Sequence, residues 1–232
     1  MRVLVLFERS AIVRDKFRSR GCDAWSCDLK PCEGDARWHY QGDAFVVFAQ
    51  YGPWDLVIAH PECTDLAVSG ALHFRVKKAD GRQQAAIDVF MRVADLPVEK
   101  LCIENPVSIM STVWRKPDQI IQPYQLGDDA SKKTCLWLRG LPPLVIDPAQ
   151  YVEPRMVCAC GRVYAYDLEF SSGCPQCGPG HAKPRWANQC DSGQNKLGPS
   201  DHRAMDRART YPGIAEAFTQ WITPVTFQRR LI

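Results

Sequence analysis

Apolar and polar positions along the first hundred residues alternate between two periods. Residues 2–7 (RVLVLF) read as a buried-strand run. Ser10 is a predicted N-cap, after which Ile12, Val13 and Phe17 recur at helical spacing until Gly21 ends the segment. Residues 23–29 (DAWSCDL) read as a second strand, 39–43 (HYQGD) as a short third one, and 45–51 as a short helix stopped by Gly52 and Pro53. The next buried strand, 54–59 (WDLVIA), runs straight into His60-Pro61-Glu62-Cys63-Thr64. Residues 83–93 give the clearest amphipathic helix, and 100–103 another strand closed by Glu104-Asn105-Pro106. Strands alternating with helices across short connections predict an α/β fold with a mostly parallel sheet. Ligands of such sheets collect at the carboxyl ends of the strands. The polar residues after Phe7, Leu29, Ala59 and Ile103 sit at those ends.

Beyond about residue 110 the pattern changes. Residues 115–135 are polar and proline-bearing and predict an extended loop, 135–138 (CLWL) a late strand, and 214–221 a final amphipathic helix. The expected organisation is an α/β domain over 1–150, a cysteine-bearing segment over 151–184, and a basic loop and helix over 185–232 that pack back on the first domain. The longest uninterrupted apolar stretch, 44–49, is far too short to span a bilayer, so no membrane partner is expected. The opening MRVLVLFERS predicts a first core strand and not a signal peptide.

Composition adds one oddity. An apolar content of 46% and a charged content of 24% are those of a globular protein and exclude a largely disordered chain. Charge is uneven: residues 178–232 hold 8 Lys or Arg against 4 Asp or Glu, whereas residues 1–177 hold 21 against 22. That bias permits contact with a polyanion. The oddity is 11 cysteines in 232 residues without an export signal. In a reducing cytoplasm these are expected to be metal ligands, small buried residues or a reactive thiol, and not a disulfide framework.

Two close pairs account for four of them. Cys158-Ala159-Cys160-Gly161 is followed, 13 residues on, by Cys174-Pro175-Gln176-Cys177-Gly178. Paired thiolates, each pair followed by a glycine that permits a tight turn, suit tetrahedral structural zinc in a small ribbon. Four thiolates leave no open position for catalysis, and His181 is an alternative ligand. Cys63 and Glu104 are different, for each follows a buried strand on the predicted ligand edge. A thiol at the start of a helix is a candidate nucleophile because the helix N-terminus lowers its pKa.

The stretches FERSAIVRDKFRSRGCDAWSCDL, QGD, WDLVIAHPECTDLAVSG, IENP, QPYQLGDDASKKTCLWLRGLPPL, NQCDSGQNKL and RTYPGIAEAF resemble, in order and content, the cytosine-5 DNA methyltransferases, especially the compact type of phage and prophage genomes. They cover most of the chain outside the cysteine segment. The resemblance implies a Rossmann-like S-adenosylmethionine-dependent fold with a zinc-ribbon insertion, and double-stranded DNA as partner. It implies that Phe7 to Ala11, with Glu8 and Ser10, line the cofactor pocket, that Asp28 binds the cofactor ribose, that Asp43 lies near the adenine, and that Pro61 borders the same pocket. Cys63 would attack carbon 6 of a flipped-out cytosine while Glu104 binds the ring nitrogen and exocyclic amine.

The chain departs from that pattern in its glycine-free cofactor loop, in Glu62 where the family has a second proline before the cysteine, and in Pro106 after Glu-Asn. The first two departures motivate an alternative, a catalytically inactive or weakened scaffold acting as a nucleic-acid-binding or regulatory factor. Lys132, Lys133, Arg185, Lys196, Arg203 and Arg207 are candidate DNA-phosphate contacts, and Trp186 a candidate base or backbone contact. RNA, a nucleotide or a modified base remain as alternative substrates.

Overall fold

The computed structural model describes residues 1–166, 173–174, 176–198, 206–207 and 209–222. Its centre is a seven-stranded sheet in the order β3-β2-β1-β4-β5-β7-β6. The strands are β1 (Arg2–Leu6), β2 (Asp23–Asp28), β3 (His39–Gln41), β4 (Leu56–Ala59), β5 (Lys100–Pro106), β6 (Gln119–Ile121) and β7 (Thr134–Arg139). β1 to β5 pair in parallel, and β7 runs antiparallel to both β5 and β6. The arrangement is mixed α/β with a mainly parallel sheet.

Period-two alternation along β1 splits the core into two layers. Val3 and Val5 face one side, where they meet Val13 and Phe17 of α1 (Ile12–Ser19) and Ile214 and Phe218 of α6 (Pro212–Phe218). Leu4 and Leu6 face the other, against α2 (Ala44–Tyr51), Phe90 and Val93 of α4 (Arg82–Ala94), and Trp137 of β7. With both faces covered, β4 is buried throughout and β1 from Val3 onward, as their continuous apolar runs predict.

Three local expectations are corrected. The interval 115–135 is not one loop, because it contains β6 and a 3-10 turn at Pro123–Leu126. Glu104 lies inside β5, not beyond it, because the strand continues opposite β7, with Glu104 paired to Leu136. Ser10 does not cap α1. The cap residue is Ala11 in a left-handed conformation, and the carboxylate of Glu8 accepts hydrogen bonds from the backbone N–H groups of Val13 at 2.7 Å and Arg14 at 3.2 Å.

The cysteine-bearing segment forms its own small sheet, β12 (Ala182–Arg185), β8 (Arg155–Cys158) and β9 (Val163–Ala165), beside a two-stranded pair, β10 (Gly173–Cys174) and β11 (Gly178–Pro179). Two short helices, α3 (Phe74–Ala79) and α5 (Met110–Val113), follow the loops after β4 and β5.

α6 seats on the turn at Pro123–Leu126 with no spare room. A Cβ on Gly213 would stand 2.0 Å from the Leu126 carbonyl oxygen and 2.7 Å from an Asp128 carboxylate oxygen. Gly213→Ala is therefore expected to lower urea stability by at least about 2 kcal/mol, whereas Gly198→Ala, with nothing within 4 Å of the added carbon, changes it by no more than about 0.5 kcal/mol.

Candidate active site at the carboxyl edge of the sheet

The chain leaves β1 for β2 and β3 on one side of the sheet and then crosses to β4 and β5 on the other, so the strand order reverses between β1 and β4. In open α/β sheets this switch point is where ligands bind. Phe7 and Glu8 follow β1, Asp28 ends β2, His60 to Cys63 follow β4, and Glu104 lies near the end of β5. The ladder continues past β4, for the His60 N–H donates to the Leu6 carbonyl at 3.0 Å.

The loop after β4 is fastened to the exit of β5. Asn105 Nδ2 donates to the Pro61 carbonyl at 2.8 Å, the Ile109 N–H to Leu66 at 3.0 Å, and the Val68 N–H to Val107 at 3.0 Å. From behind, Lys77 of α3 reaches the Thr64 carbonyl and lies 3.2 Å from Asp65, and Gln83 of α4 donates to the Asp65 carbonyl. The residues from Pro61 to Val68 are thus held at both ends, with Cys63 between them.

Glu104 is 7% exposed. One carboxylate oxygen, Oε2, lies 2.8 Å from Nδ1 of His60. Burial alone opposes the ionised form, but the His60 hydrogen bond, the Lys132 charge and the His60 charge outweigh it and hold Glu104 below its ordinary carboxylate value. Cys63 behaves oppositely. Burial first and the Glu104 charge second push its thiol above the usual value, Glu62 adds to this, and Lys132 opposes it. The helix-start expectation for Cys63 is thereby corrected, because a hydrogen-bonded turn and then a 3-10 helix at Val68–His73 follow it. Cys63, Glu104, His60 and Lys132 nonetheless form one electrostatically coupled group. His60 is the member that motif reading placed beside Cys63 and that the fold places on Glu104.

The residues assigned to a cofactor ring the same edge. Phe7 and Ala11 bound the loop after β1, and both have left-handed backbone angles (φ 61° and 64°), a conformation that favours glycine and costs about 1–2 kcal/mol in other residues. Glu8 is buried and bound to the start of α1. Burial raises its pKa, against the lowering effects of the His60 charge and the two backbone N–H groups. Ser10 donates to Glu8 at 3.4 Å. Asp28 accepts from the Lys30 N–H at 2.8 Å and is partly exposed. Asp43 caps α2, accepting from the N–H groups of Phe45 and Val46. A cavity of about 350 Å³ opens beside Ile12, lined in part by Lys196, Arg209 and Tyr211. Phe7, Asp28 and Cys63 are not among its lining residues.

Of the basic candidates, Lys132, whose charge acts on Glu104, donates to the Arg207 backbone carbonyl at 3.0 Å, and Lys133 is exposed. Arg185 is instead tied to the carbonyls of Pro184 and Asp191, and Lys196 is exposed. Arg203 lies outside the described residues. Trp186 is not a surface platform, being buried, stacked on Tyr124 at 4.2 Å and donating to the Val152 carbonyl at 3.0 Å.

The sulfur atoms of Cys158, Cys160, Cys174 and Cys177 all lie within 4.8 Å of one another, with Cys160 and Cys174 3.9 Å apart. A tetrahedron of thiolates at about 2.3 Å from a zinc ion has edges of about 3.8 Å, so the four fit such an ion. Backbone N–H groups of Gln176 and Cys177 help bring the Cys174 thiol down to about 6 against its burial.

No protein-family model matches this chain, and no curated protein matches it. An E. coli crystal structure provisionally described as a DNA modification methyltransferase encoded within a prophage is similar over 68% of this chain, at 15% identity and a TM-score of 0.41. The chain spans 57% of that protein's length.

The Cys63 environment makes a direct prediction. At neutral pH iodoacetamide should label Cys63 more slowly than an exposed thiol, as read by peptide mass spectrometry. Glu104→Gln, by removing the negative charge that most raises the thiol pKa, should speed that labelling about threefold.

Proposed function

We propose that this protein is a DNA cytosine-5 methyltransferase using S-adenosylmethionine, with Cys63 as nucleophile and Glu104 as the base-binding acid. One observation carries the reading: adjacent strand ends hold a thiol and a buried, ion-paired carboxylate within each other's field, on the ligand edge of a mainly parallel α/β sheet. Carbon 5 of cytosine is a poor nucleophile. Addition of the Cys63 sulfur to carbon 6, with the thiol proton taken up at the ring nitrogen, makes the ring enamine-like, and Glu104 accepts hydrogen bonds from the ring N–H and the exocyclic amine. The ring must leave the duplex to reach Cys63.

The residues around β1 and β2 are proposed to hold the cofactor. Asp28 stands at the exit of β2 with its carboxylate partly exposed, as a ribose partner requires, and Phe7 offers an apolar ring beside Phe45. Bound there, S-adenosylmethionine supplies an electrophilic methyl group. Pro61 and Asp43 complete the proposed pocket, whereas Glu8 and Ser10 contribute by shaping the loop. Lys132, Lys133 and Arg207 are proposed to meet DNA phosphate near the reacting base. Cys158, Cys160, Cys174 and Cys177 are proposed to hold structural zinc.

A second reading, a nucleic-acid-binding scaffold with weakened or lost catalysis, is favoured by the raised Cys63 thiol. Calorimetry separates the two, since DNA binding without micromolar S-adenosylmethionine binding supports the scaffold.

Incubated with labelled cofactor and mixed-sequence DNA, the wild type should transfer methyl groups, and Cys63→Ser should lower the rate by at least about 1000-fold. No transfer by wild type, or transfer that survives the substitution, overturns the enzyme reading. Elemental analysis should find about one zinc per chain, lost in Cys174→Ser. A metal-free chain with an intact segment would refute the zinc site.

A further inference from the structure

His60 stands between the two buried acids of the site. It follows β4, with Glu8 after β1 on one side and Glu104 on β5 on the other, and both carboxylates feel its charge. Its side chain is 10% exposed. Nδ1 is 2.8 Å from Glu104 Oε2, while Nε2 is buried and has no hydrogen-bond partner among the described residues. An ionised carboxylate accepts and does not donate, so Nδ1 carries the proton in this pair.

The backbone fixes His60 as firmly as it fixes Cys63. Its N–H is tied to Leu6, and the next residue, Pro61, accepts from Asn105, the neighbour of Glu104. The hydrogen bond from Nδ1 therefore joins two rigid strand ends. Glu104 Oε1 has no hydrogen-bond partner among the described residues. The carboxylate has one oxygen clamped and one available.

We propose that His60 is a positioning residue for Glu104: by holding Oε2 through Nδ1, it sets the carboxylate plane so that Oε1 is presented to the substrate base. This rests on the methyltransferase reading above. It assigns His60 no contact with the reacting atoms. What it supplies is orientation, and a carboxylate turned by one rotamer cannot meet the ring nitrogen and exocyclic amine together.

The two ring nitrogens make the proposal separable from a general need for bulk. An asparagine amide nitrogen reaches about as far from the backbone as Nδ1, whereas a glutamine amide reaches about as far as Nε2. In methyl-transfer assays His60→Ala should lower kcat by about 30- to 100-fold with little change in KM for DNA. His60→Asn should recover most of that loss, and His60→Gln should not. Equal loss in all three, or a loss confined to KM, overturns the proposal.

A readout independent of turnover keeps failure of the proposal distinct from failure of the enzyme reading. Carboxyl-carbon NMR of labelled Glu104 follows its ionisation directly. Glu104 is faced by His60 after β4, Lys132 before β7, Cys63 in the loop after β4, Cys135 on β7, and Cys102 on its own strand, with Glu8 beyond His60. Removing His60 leaves burial opposed mainly by Lys132, so Glu104 should titrate at higher pH in His60→Ala and return towards wild type in His60→Asn. Unchanged titration in a folded His60→Ala chain overturns the clamp even if wild type methylates DNA. The shifted titration in a chain that methylates nothing would retain the His60–Glu104 clamp and overturn its assigned role in presenting the carboxylate to cytosine.

Discussion

Burying a carboxylate on a central strand is costly unless partners compensate it, and Glu104 organises this candidate site for that reason. Its compensation comes from His60 after β4 and from Lys132 before β7, the residues flanking it on either side. The same negative charge raises the pKa of the neighbouring Cys63 thiol. A site that keeps its acid ionised thus keeps its thiol protonated at rest.

Much of this edge was legible in the sequence because strand-type runs end abruptly in polar residues. The runs before His60 and before Glu104 announced buried parallel strands, and the fold brings their ends together. Hidden from the pattern were features decided by tertiary contacts. β6 has three residues, with Ile121 buried and Ile120 exposed, too short a signal against a polar background. The cap of α1 comes from Glu8, four residues before the helix, and a motif search for a neighbouring serine finds Ser10 instead. Trp186 sits in a polar stretch, yet Tyr124 and the Val152 carbonyl bury both its ring and its N–H. The coupling of His60 to Glu104 spans 44 residues of chain and has no local signature.

The cysteine segment poses the opposite problem, for its spacing is loud and its core is small. Among the described residues, its apolar cluster is Met156, Cys158, Cys174 and Ala182 with Tyr164 and Tyr166 packed against them, and two of the four buried members are cysteines. The proposed zinc would join these strands through bonds that apolar burial does not supply. Docking onto the main sheet runs through backbone and side-chain hydrogen bonds, with the Ala187 N–H on Asp129 and Asn188 on Ser131.

The most direct test of the central claim is covalent. DNA carrying 5-fluorocytosine blocks release of the base once sulfur has added and methyl has transferred. With S-adenosylmethionine present, the wild type should form a denaturant-resistant complex whose digest places the modified base on Cys63, and Cys63→Ser should form none. A wild type that binds both DNA and cofactor but yields no adduct, or an adduct mapped to another cysteine, would contradict the account.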